Sequence, residues 1–130
     1  MNIDAKQELI KEYLKNERAL YRDWYLEYKR DLTGIPGSEI SFPSLDEIKD
    51  SFKQWREKNQ EALYQLICVY WDYPSKRKTL HFQEKITLIV SLSEFLIQQT
   101  KIGIPGATPV ATLLFLQGLD DFCDVKYPKN

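Results

Sequence analysis

The chain has 130 residues, of which 43% are hydrophobic and 13% are aromatic. That length and composition are enough for one hydrophobic core, so we expect a single domain over residues 1–130 and exclude a chain that is disordered throughout. The 18 basic and 19 acidic residues leave a formal net charge of -1, which excludes binding to nucleic acid or to an acidic membrane through overall charge.

The first predicted element is an amphipathic helix over residues 4–32. Apolar residues recur there at every third or fourth position, among them Leu20, Trp24 and Tyr28. Glu17 falls in the same stripe, while Lys6 and most other basic residues fall on the opposite side. This pattern is typical of a surface helix with Lys6 in solvent.

A second helix is predicted over residues 44–73. Ser44 and Glu47 have the spacing of a capping box, which starts a helix. The apolar residues that follow keep the spacing of a bundle seam, with Asn59 inside it. Two interpretations of Asn59 stay open: a buried residue that fixes the register, or an exposed one near water. Pro74 is predicted to end the helix.

The last two predicted helices, residues 80–100 and 109–123, carry few charges. Thr108 and Pro109 have the order of a cap residue and a first helical residue. Residues 102–119 are uncharged, but glycine and proline leave too short a helix for a membrane span. Strand patterns are weak throughout, so the predicted fold is all-α, a four-helix up-down-up-down bundle with short loops.

The tetrapeptide Gly-Ile-Pro-Gly occurs twice, at Gly34–Gly37 and at Gly103–Gly106. A phosphate-binding loop needs a preceding strand and a longer glycine spacing, which neither copy has. Glycine followed by an apolar residue and proline is typical of a helix C-terminus instead. Both copies are predicted to end helices at the same end of the bundle, and a duplicated hairpin stays open as their origin.

Charged residues are predicted to meet at the opposite end of the bundle. The basic run Lys76–Lys78 follows the second helix, and an acidic group closes the fourth: Asp120, Asp121 and Asp124. Carboxylates at a helix C-terminus oppose the helix dipole, so a compensating charge is expected nearby. Two interpretations remain: ion pairs with Lys76, Arg77 and Lys78, or an acidic docking surface for a basic partner.

Candidates for chemistry are few. Cys68 and Cys123 follow no disulfide or metal spacing, and we expect reduced thiols in a cytoplasmic protein without a secretory signal. His81 is the one histidine, so a metal site with Cys123 and an aspartate, or a Cys-His nucleophile, lacks the usual paired spacing. We predict no catalytic residue, no metal and no cofactor.

Aromatic residues carry the functional hypothesis. The predicted partner interface consists of aromatic side chains from the first two helices: Tyr21, Trp24, Tyr25, Tyr28 and Trp55. Tyrosine and tryptophan favour interfaces, although a broad buried face of the first helix is the alternative. The basic run near Trp71 is too short to indicate nucleic-acid binding.

The sequence therefore predicts a non-catalytic helical interaction module that binds an unknown protein or a second copy of itself. Two alternatives stay open. One is a bundle that holds a small apolar ligand between its last two helices, and the other is a non-catalytic subunit of a larger complex. We expect no nucleic-acid partner.

Overall fold

The computed structural model describes residues 3–33, 42–78, 84–99 and 104–124, and every regular element within those ranges is helical. The predicted all-α class is confirmed. The elements are α1 (Ile3–Lys15), α2 (Glu17–Thr33), α3 (Leu45–Lys58), α4 (Gln60–Tyr64), a π-helix (Gln65–Tyr70), α5 (Tyr73–Lys76), α6 (Lys85–Ile97) and α7 (Ala107–Asp124). The up-down-up-down order of four long helices stays a prediction.

The predicted first helix is two helices that meet at Asn16. Asn16 caps α2, since its Oδ1 accepts a hydrogen bond from Ala19 N at 3.1 Å. Lys6, predicted in solvent, has a side chain only 3% exposed, and its Nζ lies 2.9 Å from Glu94 Oε1 of α6. Because α1 packs on α6, the solvent-facing prediction for Lys6 was wrong.

The start of α3 is as predicted. Ser44 Oγ accepts from Glu47 N at 3.2 Å and Glu47 Oε1 accepts from Ser44 N at 3.4 Å, which confirms the capping box. The helix stops at Lys58, earlier than predicted, because the backbone of Asn59 leaves the helical region with φ -107° and ψ 13°. Its side chain caps the end, with Asn59 Nδ2 donating to Trp55 O at 2.9 Å. Asn59 is half-buried and ends a helix rather than lying within a continuous seam.

A π-helix follows α4 and was not predicted. Its wider turn is closed by Trp71 N, which donates to Leu66 O at 2.8 Å across five residues. Asp72 then adopts a left-handed backbone with φ 62° and separates the π-helix from α5. Pro74 lies inside the first turn of α5, so the expectation that it ends the preceding helix was wrong: Asp72 makes the break.

Helices α6 and α7 form an apolar hairpin. Leu88, Ile89 and Leu92 of α6 and Val110 and Leu113 of α7 are buried, each at most 4% exposed. Residues 80–83 and 100 of the predicted third helix lie outside the described residues. No helix in the described ranges has both the length and the apolar character needed to cross a membrane.

The ends of α7 differ from the prediction. The helix begins at Ala107, with Val110 N donating to Gly106 O at 2.9 Å, and Thr108 Oγ1 lies 2.6 Å from Ser93 Oγ instead of capping α7. Near its C-terminus α7 bends at Gly118, where φ is 101° and ψ is 93°. Glycine adopts this left-handed region without the steric cost that other residues incur.

Cys68 and Cys123 form a disulfide with a Cα–Cα distance of 5.4 Å across a sequence separation of 55. The prediction of reduced thiols was therefore wrong. Sequence spacing cannot reveal such a pair, because packing brings the π-helix and the end of α7 together. The cytoplasmic location stays a prediction, now without the support of free thiols.

The first Gly-Ile-Pro-Gly copy, Gly34–Gly37, lies outside the described residues, as does Gly103 of the second. The shared-end prediction for the two copies is therefore untested. Gly106 has φ 67° and directly precedes α7. This second glycine of the tetrapeptide thus lies at a helix start.

Candidate functional site

The predicted interface residues lie against one another in the core. Trp24 is 0% exposed, and its ring centroid lies 5.1 Å from that of Phe52 and 4.8 Å from that of Tyr28. Tyr21, Tyr25 and Trp55 are also buried, at no more than 9% exposure, and Tyr28 is half-buried. These rings join α2 to α3 and offer a partner little surface, which agrees with the alternative of a broad buried face; the partner interface itself stays a prediction.

A groove lies elsewhere on α2. It has a volume of about 520 Å³ and is bordered by α1, α2, the C-terminus of α6 and the N-terminus of α7. Its apolar lining includes Leu9, Leu26, Ile97 and Pro109. Four separate parts of the chain thus contribute to one concave surface.

Two of the groove residues are large apolar side chains in contact with water. Leu9 is 41% exposed and Ile97 is 46% exposed. The other large apolar side chains with comparable exposure in the described residues are Val69, Tyr70 and Leu116. Exposed apolar surface gathered in a concave site is typical of a binding site, whereas isolated exposed residues need no explanation.

Close backbone approach shapes the wall between α2 and α7. A Cβ atom placed on Gly106 would lie 3.4 Å from Glu27 Cβ and 3.4 Å from Pro109 Cγ. Together with its left-handed φ, this contact favours glycine at the corner where the chain enters α7. The stem of Glu27 is held against that corner and its carboxylate borders the groove.

The groove contains a carboxylate that forms no ion pair with the described part of the chain. Tyr13 OH donates to Asp23 Oδ2 at 2.7 Å, and burial, followed by this hydrogen bond, raises the pKa of Tyr13 above its usual value. Tyr13 therefore stays a neutral donor. Glu27 Oε1 is paired with Arg30 Nη1 at 3.0 Å, whereas Asp23 forms no ion pair with any described residue.

Sequence reasoning missed this site. Leu9 lies one residue before Ile10 of the apolar stripe, and Ile97 ends an apolar helix. An apolar residue just outside a 3–4 spacing was the available signal. It does not show which neighbouring helix lies opposite, and that information comes from the packing of α1 on α6 and α7.

The contacts of Asp120 bear on whether the acidic residues at the end of α7 form ion pairs or an acidic docking surface. Tyr73 OH donates to Asp120 Oδ1 at 2.8 Å, and Arg77 Nη1 contacts the same oxygen. These hydrogen bonds, the one from Tyr73 first, lower the pKa of Asp120. Burial and the bond to Asp120 raise the pKa of Tyr73 to about 12. Arg77 and Asp120 thus form a predicted pair, while Asp121 and Asp124 contribute no ion pair among the described residues.

Among the described residues, none of those considered for chemistry forms part of a catalytic or metal centre. His81 lies outside the described residues, and Cys123 is bonded to Cys68, which removes it as a thiolate ligand or nucleophile. In the described part of the chain, no group of three or more histidine, cysteine, aspartate and glutamate side chains is arranged to hold a metal ion.

Comparison of the chain with protein-family models, with curated proteins and with solved structures found no match. Inference about function therefore starts from the groove and its charges.

Proposed function

We propose that the protein is a non-catalytic interaction module whose binding site is the groove between α1, α2, α6 and α7. The partner is a segment of another protein that carries a lysine or arginine next to apolar residues. The observation that carries this proposal is the carboxylate of Asp23, which lies among exposed apolar side chains and forms no ion pair within the described residues.

The apolar part of the groove supplies affinity. Leu9 and Ile97 together leave large apolar surfaces in water, and covering such surface stabilises a complex by about 25 cal/mol per Å². A protein segment with apolar residues spaced along one side covers several such positions at once. The groove extends across four chain segments, which suits an extended or helical peptide.

The charge supplies selectivity. Asp23 is half-buried and held by Tyr13 OH, so its position is fixed before a partner binds. A carboxylate near apolar surface attracts a basic side chain and disfavours an acidic one. Glu27 adds a second carboxylate to the lining, although Arg30 already pairs with it.

Peptide selection tests the proposal. A displayed library of random peptides is selected on the protein, and the affinities of enriched peptides are measured by isothermal titration calorimetry. We expect enriched sequences to place lysine or arginine beside apolar residues. We also expect Leu9→Ser with Ile97→Ser to abolish binding, and Asp23→Asn to weaken it by about tenfold, because one charge-assisted contact is lost.

Matched controls lie outside the groove. Leu116→Ser changes an apolar residue that is 52% exposed, and Asp121→Asn removes an exposed carboxylate; both variants are expected to bind the peptides as the native chain does. Far-ultraviolet circular dichroism establishes that each variant is folded. Enrichment of peptides without basic residues, or equal binding by the Leu9 and Ile97 variant, would contradict the proposal.

A small amphipathic ligand is the second candidate, because a volume of about 520 Å³ falls in the range of small-molecule sites. The groove is at the end of the α6–α7 hairpin rather than between its helices, and its carboxylate favours an amine with an apolar body. Stabilisation of the protein by a hydrophobic amine, without selection of any peptide, would favour this candidate.

If the partner is a second copy of the chain or a subunit of a larger complex, the proposal places the contact in the same groove. A second copy qualifies as the partner if the chain dimerises in sedimentation experiments and Leu9→Ser with Ile97→Ser restores the monomer. A chain that stays monomeric at high concentration leaves a different protein as the partner.

A further inference from the structure

A second concave site lies between α2 and the residues that lead into α3. It has a volume of about 220 Å³. Its lining consists of two basic and four apolar residues: Arg18, Arg22, Phe42, Pro43, Leu45 and Ile48. None of these residues lines the groove proposed for a protein partner.

The two arginines are placed to act together. Arg18 and Arg22 are one helical turn apart on α2, which brings side chains onto the same face. Neither guanidinium forms an ion pair with a carboxylate of the described residues. Glu17, next to Arg18 in sequence, is 3.0 Å from Lys49 Nζ and is thus already paired. Asp23, next to Arg22 in sequence, accepts a hydrogen bond from Tyr13 OH on the groove side of α2.

Aromatic stacking orients one of them. The guanidinium carbon of Arg22 lies 4.4 Å from the ring centroid of Phe42, and the Phe42 ring centroid lies 6.0 Å from that of Tyr25 in the core. A stacked guanidinium keeps its edge N–H groups free to donate. Part of the entropy cost of ordering Arg22 is therefore met before any ligand binds.

The remaining lining is apolar. Ile48 is 1% exposed, and Phe42, Pro43 and Leu45 are half-buried. The backbone N–H groups of Ser44 and Glu47 at the start of α3 are not available to a ligand, because the capping box already gives each of them an acceptor. The arginines thus supply positive charge for a ligand's anionic group, and the other side chains supply apolar contacts for its carbon framework.

We propose that this pocket binds organic carboxylates with a compact apolar body. The planar fork of arginine matches a carboxylate with paired hydrogen bonds. Four apolar residues beside the two arginines favour a ligand with one charged group and a hydrocarbon part over a free inorganic anion. The small volume limits the apolar part to about one aromatic or branched side chain.

The probe is 3-phenylpropionate, titrated into the full chain and followed by two-dimensional NMR of backbone and arginine side-chain N–H groups. We expect saturable shifts at Arg18, Arg22 and Phe42. The matched amide, 3-phenylpropionamide, and inorganic phosphate are expected to bind at least about tenfold more weakly, because each lacks either the charge or the apolar body.

Variants that remove charge distinguish binding in this pocket from non-specific attraction between the anion and basic residues elsewhere on the surface. Arg18→Gln with Arg22→Gln is expected to weaken 3-phenylpropionate binding by about tenfold or more. Arg30→Gln, on the same helix but outside the pocket, is expected to leave the affinity unchanged, as is Asp121→Asn at the end of α7. Equal weakening by Arg30→Gln, equal affinity for the amide, or shifts that never saturate would overturn the proposal.

A second ligand shows whether the bound carboxylate belongs to the C-terminus of a protein or to a small free acid. A short peptide that ends in phenylalanine is compared with its C-terminally amidated form. Tighter binding of the free-acid peptide than of 3-phenylpropionate assigns the pocket to the C-terminus of a protein, whereas tighter binding of 3-phenylpropionate assigns it to a free metabolite-sized acid.

Discussion

Two regions that share α2 use their apolar residues in opposite ways. Toward α3, Trp24 and its aromatic neighbours are buried by the chain itself. Toward α1, α6 and α7, smaller aliphatic residues such as Leu9 and Ile97 remain in water around a groove. Residue type alone would assign the interface to the aromatic side, so the comparison shows that the packing partner of each face decides which surface is available.

Stability is expected to show this contrast most strongly. Trp24→Ala removes a fully buried side chain and is expected to lower the free energy of unfolding by about 3–5 kcal/mol. Leu9→Ala shortens a side chain that is 41% exposed and is expected to change the free energy of unfolding by only about 0.5 kcal/mol. Urea denaturation monitored by circular dichroism measures both, and similar losses for the two variants would break the comparison.

Removal of the disulfide is expected to have an effect of intermediate size, on stability but not on the groove. Cys68→Ser with Cys123→Ser removes the link between the π-helix and the end of α7, and is expected to lower the free energy of unfolding by about 2–4 kcal/mol. The groove is bordered by the opposite end of α7, so peptide affinity is expected to stay unchanged.

Both quantities are measured on the same preparation, by urea denaturation and by calorimetry. The native chain treated with a reductant serves as the control and is expected to match the double serine variant. Unfolding free energies that are equal with and without the disulfide would contradict the expectation. Loss of peptide binding in the folded variant would show that the two ends of α7 are coupled.

The smallest expected effect concerns pH and Asp120. Its pKa is lowered from 3.8 in the folded chain, first by Tyr73 OH and then by Arg77. A lowered pKa contributes stability that is fully present above the unfolded value and is lost as pH falls through the folded value. Asp120→Asn is therefore expected to be less stable than the native chain at neutral pH, with the difference shrinking below pH 3.8.

Urea midpoints measured from neutral pH down to acidic pH test this dependence. Asp121→Asn is the matched control, because Asp121 is exposed and forms no ion pair among the described residues. A difference between Asp120→Asn and the native chain that persists unchanged at low pH would show that the Asp120 carboxylate charge is not its source.

The local parts of the fold were predictable from the sequence. Apolar spacing predicts helices, and the Ser44 capping box predicts the start of α3, since both depend on residues within a turn or two of each other. The breaks at Asn16 and Asn59 were missed. Asn favours caps and turns, but the apolar spacing on both sides of each of these residues predicts one continuous helix.

Long-range features were less accessible. The pairing of Cys68 with Cys123 and the burial of Lys6 against Glu94 depend on which helices lie side by side. The groove depends on the same information, because Leu9 and Ile97 are 88 residues apart in sequence. The aromatic residues of α2 were recognised as a cluster, but periodicity cannot tell a core cluster from an interface.

The most direct test of the groove as the partner site is NMR mapping of a bound peptide. Side-chain signals of the native chain are recorded while a selected basic peptide is added. We predict that methyl signals of Leu9, Leu26 and Ile97 shift to saturation while the indole signal of Trp24 stays unchanged. Shifts at Trp24, Tyr21 and Tyr25, with Leu9 and Ile97 unaffected, would contradict the account and return the interface to the aromatic residues.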